Sequence, residues 1–164
     1  MELPIRVLFL CTGNSCRSIM AEALANQLGA GRLRAWSAGS HPTGVVNPRA
    51  RAVLRKHDVP AGEPVSRSWE VFEQTPLDLV ITVCDAAAGE SCPLWLGATP
   101  KAHWGLPDPA AAEGTDETID AAFEQSFHQI RRRLEALLAL PLAELEPGEL
   151  PPALNDIHNQ LRNA

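Results

Sequence analysis

The chain has 164 residues, a formal net charge of −6 and a pI near 5.3. This length favours a single domain with enough buried surface to fold without disulfide bonds. The acidic balance argues against nucleic acid or a membrane surface as a partner. An anion-binding site would therefore have to be built locally, from backbone N–H groups and individual arginines.

The N-terminus lacks the long apolar core of a signal peptide, and no apolar run is long enough to span a membrane. We therefore expect a cytoplasmic protein without a membrane partner. In that compartment the four cysteines are expected to be catalytic, redox-active or metal-binding rather than paired in structural disulfides.

Strand and helix patterns alternate along most of the chain. Short apolar runs predict strands, and apolar residues at helical spacing predict helices. The alternation implies right-handed crossovers, and hence an α/β fold with an open four-stranded parallel sheet and helices on both faces. The predicted strands are 5–10, 33–38, 77–84 and 101–104, and the predicted helices are 17–28, 47–57, 68–73 and 117–138.

The composition changes after residue 140, where Pro141, Pro147, Pro151 and Pro152 interrupt the chain before a short predicted helix at 154–161. We interpret 1–140 as one domain and 141–164 as a Pro-rich extension that packs on it. Three consecutive arginines at 131–133 are predicted to face solvent on the long helix.

The candidate site is the junction between the first strand and the first helix. The strand leads directly into Cys11, and Arg17 and Ser18 follow where the helix begins. A helix N-terminus gathers N–H groups and a positive dipole end, which together favour a tetrahedral oxyanion. The predicted oxyanion-binding residues are Thr12, Gly13, Asn14, Ser15, Cys16 and Arg17.

Cys11 is the candidate nucleophile of this loop. The field that attracts an anion also stabilises a thiolate, and Ser18 is expected to lower the pKa of Cys11 by hydrogen bonding. Arg17 offers a planar fork of donors to two oxygens of the anion. Asn14 is expected to support the loop through its side chain. Cys16 is expected to pack within it, with a backup role as a disulfide partner of Cys11.

The run from Cys11 to Ser18 resembles the phosphate-binding loop of low-molecular-weight protein tyrosine phosphatases. The resemblance implies that Asp108, in the pair Asp108-Pro109, is the general acid; the alternative is a turn-forming Asp-Pro. The phosphatases carry tyrosines after this pair, whereas this chain has two alanines there and no tyrosine at all. A deep aromatic slot is therefore not expected, although Trp36 or Trp104 could substitute in part.

The stretch holding Cys84 and Cys92, together with His103-Trp104-Gly105 and Asp108, is similar to the arsenate reductases of the same superfamily. The resemblance implies that Cys11 attacks arsenate, that Cys84 attacks the Cys11 sulfur, and that Cys92 takes the disulfide outward for reduction by thioredoxin. One residue more separates the two cysteines than in the thioredoxin-linked relatives. A route through glutathione and glutaredoxin therefore stays open. No cofactor is expected.

Other interpretations remain at this point. The same site could hydrolyse phosphotyrosine or a small phosphoester, or the loop could bind anions without catalysis. Zinc bound by Cys84, Cys92 and His103 has an unusual spacing, and no metal is expected there. By resemblance to some members, Asn14, Glu22 and Ser37 could surround a structural cation, but Arg67 stands where those members carry an acidic ligand.

Overall fold

The computed structural model describes residues 1–85 and 97–162, so Cys92 lies outside the described residues. Four strands form one parallel sheet in the order β2-β1-β3-β4. This confirms the predicted open α/β architecture. The strands are β1 (Ile5–Leu10), β2 (Leu33–Ala38), β3 (Leu79–Thr82) and β4 (Lys101–His103).

The two faces of the sheet carry different apolar clusters. Alternate residues of β1 point to opposite faces: Ile5, Val7 and Phe9 join the large apolar core together with residues of the four α-helices that the described ranges contain. Leu8 and Leu10 join a smaller cluster that includes Phe72 of the 3-10 helix Trp69–Phe72. The α-helices are α1 (Arg17–Leu28), α2 (Pro48–Lys56), α3 (Asp116–Leu138) and α4 (Leu150–Gln160).

Local sequence signals explain where the helices begin. Asn47 caps α2 by accepting a hydrogen bond from the Arg49 N–H at 2.9 Å, and Pro48 occupies the first helical position. Thr115 caps α3 in the same way. The predicted start of the last helix at 154 is wrong, because α4 begins at Leu150. Its two prolines lie in the first turn, where a missing N–H costs no helical hydrogen bond.

The extension packs into the main core. Leu150 and Leu154 are fully buried, and the indole Nε1 of Trp104 donates to the Leu154 carbonyl at 2.9 Å. Arg133 is also buried, which corrects its predicted solvent exposure. Its guanidinium donates to His158 Nδ1 at 3.0 Å. Both apolar contacts and hydrogen bonds therefore hold the extension 141–164 against the core. Its division from 1–140 as a separate unit stays a proposal.

Replacing Leu154 by alanine should destabilise the protein. The change leaves a cavity in a fully packed site, so we expect the free energy of unfolding to fall by about 2–5 kcal/mol. Val71→Ala is the matched control, because Val71 is 61% exposed and its truncation should cost less than about 0.5 kcal/mol. Urea denaturation of both variants measures the difference. Equal stabilities would show that α4 does not contribute to the core.

Among the described residues, the longest helix is too polar to cross a lipid bilayer, and no other helix is both long and apolar enough to do so.

Candidate active site

Three loops that leave the carboxyl ends of strands meet at one edge of the sheet, where ligands bind in parallel α/β folds. Cys11 follows β1, Cys84 follows β3, and Asp108 lies in the loop after β4. The structure therefore brings together the proposed nucleophile, the second thiol and the proposed acid. The sheet order places β1 between β2 and β3, which is why Cys84 can reach Cys11.

Hydrogen bonds from the segment 41–47 orient the loop after Cys11. In a planar trans peptide the N–H points opposite to the carbonyl, so tying the carbonyls outward turns the N–H groups of Gly13, Asn14 and Cys16 to the other side. The Gly13 N–H lowers the pKa of the Cys11 thiol, which agrees with this orientation. Three loop carbonyls accept hydrogen bonds at 3.0 Å: Thr12 from His41, Gly13 from Thr43 and Ser15 from Asn47.

Asn14 supports the loop from inside the protein. Its side chain is fully buried, donates from Nδ2 to Ser18 Oγ at 2.8 Å and accepts at Oδ1 from the Arg67 N–H at 2.8 Å. Its φ of 46° is left-handed, a conformation that asparagine tolerates better than most residues. Gly39 is required nearby, because a Cβ at this position would lie 2.7 Å from the Cys11 carbonyl oxygen.

Arg17 is held in place with part of its guanidinium left to bind an anion. Nη1 donates to the Leu106 carbonyl at 2.6 Å, and Nη2 lies 3.9 Å from Asp108 Oδ2. Nε is buried and has no hydrogen-bond partner within the described part of the chain. A buried N–H without a partner is costly, so an oxyanion bound beside Nε would remove that cost.

Asp108 occupies the mouth of the site. Its Oδ1 accepts from the Ala110 N–H at 3.0 Å, which caps the 3-10 helix Pro109–Ala111, and Oδ2 faces Arg17. The side chain is 45% exposed, so it can exchange protons with solvent. This placement is compatible with proton donation to a leaving group above the loop.

The thiol environment differs from the sequence expectation. A hydrogen bond with Cys84 and burial raise the pKa of Cys11 above its ordinary value, whereas the charge of Arg17 and the Gly13 N–H lower it. The expected net lowering of this pKa is therefore wrong for the arrangement seen here. The N–H of Thr12, predicted to bind the oxyanion, donates instead to Cys84 Sγ at 3.4 Å. One N–H group that would otherwise stabilise a Cys11 thiolate is therefore hydrogen-bonded to Cys84.

Replacing Cys84 by alanine should lower the pKa of Cys11. The variant removes the largest cause of the raised pKa and frees the Thr12 N–H. Alkylation of Cys11 by iodoacetamide, followed by tandem mass spectrometry against pH, measures the shift. The midpoint of the alkylation rate should move to lower pH than in the wild type. An unchanged midpoint would mean that Cys84 does not control ionisation of Cys11.

Two further loop residues are buried. Burial raises the pKa of the Cys16 thiol to about 11, despite opposing hydrogen bonds from Ser15 and Asn47, so Cys16 is a packing residue in this arrangement. Ser18 is fully buried and accepts the hydrogen bond from Asn14.

Arg67 occupies the position proposed for a structural cation. Its Nη2 lies 3.3 Å from Glu22 Oε1, and its Nε donates to the Ser37 carbonyl at 3.1 Å. The Ser37 hydroxyl donates to the same Glu22 oxygen at 2.7 Å. The guanidinium therefore supplies the positive charge that a metal ion would have brought to the oxygen atoms of Glu22 and Ser37.

The alternative zinc set of Cys84, Cys92 and His103 includes Cys92, which lies outside the described residues, so the structure describes only the surroundings of the other two. His103 uses both ring nitrogens: Nδ1 lies 2.7 Å from Thr82 Oγ1, and Nε2 lies 2.7 Å from Asp85 Oδ1. The two candidate aromatic residues differ in their accessibility to a substrate ring. Trp104 is fully buried, and Trp36 packs at 6.2 Å from Phe72.

Sequence reasoning missed the partners that arrive from distant parts of the chain. The Leu106 carbonyl that holds Arg17, and the Ser66 hydroxyl that donates to the Gly13 carbonyl at 3.1 Å, carry no motif. Gly39, at the end of a predicted strand, was the one sequence signal of a close contact with the Cys11 loop, because a glycine permits close backbone approach.

A buried cysteine beneath an N–H-rich loop, with an arginine and an aspartate at its mouth, defines a thiol-dependent oxyanion-binding protein of the parallel α/β class. The chain belongs to the low molecular weight phosphotyrosine protein phosphatase family, whose sequence pattern matches residues 6–147. This confirms the family resemblance.

Several relatives of this chain within the family are arsenate reductases. An arsenate reductase from Halalkalibacterium halodurans is 37% identical over 129 residues, which cover 79% of this chain and 91% of that protein. The structure of an arsenate reductase in its phosphate-binding state has a TM-score of 0.69 and 31% identity, covering 82% of this chain and 97% of that one. A thioredoxin-dependent arsenate reductase from Corynebacterium glutamicum has a TM-score of 0.63 and 25% identity, covering 88% and 66%.

Proposed function

We propose that this protein is an arsenate reductase that reduces arsenate to arsenite with thiols and serves arsenic detoxification in the cytoplasm. The observation that carries the proposal is a second buried thiol beside the loop that follows Cys11: the Cys84 Sγ accepts a hydrogen bond from the Thr12 N–H at 3.4 Å, and Cys84 raises the pKa of Cys11. A phosphatase hydrolyses its cysteine phosphoester with water and needs no second thiol. A reductase must dispose of an oxidised sulfur. The identity to arsenate reductases over most of the chain supports the same function.

The first step forms a bond between sulfur and arsenic. Arsenate has the shape and charge of phosphate, so Arg17 and the N–H groups of the loop bind it as they would bind phosphate. The Cys11 thiolate attacks arsenic(V), and one arsenic hydroxyl leaves as water with a proton from Asp108. Cys84 and burial raise the pKa of Cys11, whereas the charge of Arg17 lowers it and so favours the thiolate.

The second step transfers the electrons. The Cys84 thiolate attacks the Cys11 sulfur, a Cys11–Cys84 disulfide forms, and the sulfur–arsenic bond breaks with its electron pair left on arsenic. Arsenic(V) becomes arsenic(III), arsenite leaves, and two thiols have become one disulfide. Cys92 then attacks the Cys84 sulfur, which frees Cys11 and leaves a Cys84–Cys92 disulfide for an external dithiol.

A direct assay separates the alternatives. Arsenite formation by the purified protein is measured with thioredoxin and its reductase, and separately with glutathione and glutaredoxin. Rapid turnover with thioredoxin supports the internal relay, and turnover only with glutathione shows that an external thiol takes the second step. Phosphotyrosine peptides and a small aryl phosphate are tested in parallel. Hydrolysis of either at a rate above that of arsenate reduction would favour the phosphatase alternative.

A further inference from the structure

A cluster of side chains that could bind a metal ion lies between α2 and α3. His57 follows the last residue of α2, and Glu124 and His128 lie one turn apart on α3. The helix α2 has nine residues and is about 13 Å long. Since its other end, at Asn47, contacts the loop of the candidate active site, this cluster is separate from that site.

The three side chains converge on one point. One ligand atom from each of His57, Glu124 and His128 lies within 4.8 Å of the ligand atoms of the other two. The carboxylate oxygen is 2.6 Å from His57 Nε2 and 3.2 Å from His128 Nε2. Two imidazole nitrogens and one carboxylate oxygen on two helices form a ligand set that suits a divalent transition-metal ion.

The protein holds these rings in position. His57 stacks on the fully buried Phe127, with ring centroids 4.3 Å apart and an interplanar angle of 14°. His128 lies edge-on to both rings. Preorganised ligands lose little conformational freedom when an ion binds. All three residues are only half-buried, so an ion can enter from solvent and water can complete its coordination.

One of the two carboxylate oxygens of Glu124 lacks a hydrogen-bond donor among the described residues. Glu124 Oε2 is buried, and within the described residues it accepts no hydrogen bond, although Lys56 Nζ lies 3.5 Å away. Lys56 is largely exposed and can turn towards solvent when a cation takes its place. A metal ion would therefore meet a buried carboxylate that still has unused lone pairs.

We propose that His57, Glu124 and His128 bind one divalent transition-metal ion, with Zn²⁺ the ion that fits this ligand set best. At Zn–ligand distances of about 2.0–2.1 Å, tetrahedral donor atoms lie about 3.3 Å apart. The separation of His57 Nε2 and Glu124 Oε1 thus has to grow by less than about 1 Å, which small side-chain rotations provide. The bound ion links the C-terminal end of α2 to α3.

Zn²⁺ titration of the chelator-treated full-length protein tests this site. We expect one Zn²⁺ per chain by calorimetry, and a higher melting temperature because the ion binds only the folded arrangement. Glu124→Gln and His128→Gln each remove one ligand at nearly constant volume. Each should weaken Zn²⁺ binding at least about tenfold and abolish the thermal shift.

Glu135→Gln is the matched control. It removes a carboxylate that pairs with Arg131 on the same helix but lies outside the cluster, so its Zn²⁺ affinity should equal that of the wild type. Co²⁺ is the second probe, because cysteine ligation would add an intense sulfur-to-metal absorption band that histidine and glutamate do not produce. Unchanged Zn²⁺ affinity in both glutamine variants, or a Co²⁺ spectrum with the sulfur band in the wild type at one equivalent, would overturn the proposal.

Discussion

Cys11→Ser should eliminate arsenate reduction and leave anion binding intact. A serine hydroxyl is a far weaker nucleophile than a thiolate and cannot form the disulfide that takes up the oxidising equivalents, so turnover should fall at least about 10³-fold. The proposed anion contacts come from Arg17, which the Leu106 carbonyl holds in place, and from the loop N–H groups, and this substitution changes neither. Arsenite formation and the dissociation constant for phosphate, measured by calorimetry, provide the two readouts.

Arg17→Ala is the complementary variant. It removes the buried Nε and the guanidinium fork, so both phosphate binding and turnover should be lost. The pair distinguishes chemistry from binding, because only Cys11→Ser keeps the affinity. Arsenate reduction by Cys11→Ser near the wild-type rate would contradict the whole proposed mechanism.

Cys84→Ser should stop arsenate reduction after the first adduct while sparing phosphoester hydrolysis. Cys84 is held against Cys11 by the fold, and an intramolecular thiol has an effective-concentration advantage over one from solution. Hydrolysis of an aryl phosphate uses water and does not need this thiol. Multiple-turnover assays of both reactions on the same preparation measure the difference, and the phosphatase rate also reports that the variant is folded.

Cys92→Ser separates the two halves of the relay. It should allow one turnover and then stall as a Cys11–Cys84 disulfide, visible by mass spectrometry of non-reduced peptides. In Cys84→Ser, a disulfide between Cys11 and Cys16 would assign the backup role to Cys16. If both variants keep full arsenate turnover with glutathione and glutaredoxin, an external thiol performs the second step.

The loop and its flanking elements were accessible from the sequence because their signals are local. A buried strand, a cysteine, a short polar loop and the start of a helix are contiguous in the chain, so Cys11, Arg17 and Asn14 could be placed without tertiary information. The alternation of strands and helices also predicted the parallel sheet, and hence the edge at which Cys11 and Cys84 meet.

The tertiary structure decided the properties that depend on contacts between distant segments. Cys84 and the Cys11 thiol come from separate strands, and only their packing shows that Cys84 raises the pKa of Cys11. Arg67 reaches Glu22 across 45 residues of chain to replace a cation. His57 and Glu124, 67 residues apart, share a hydrogen bond because α2 packs against α3. Local sequence patterns determine which strands and helices form. The pKa of Cys11 and the cluster of His57 with Glu124, by contrast, depend on which of these elements the tertiary structure packs together.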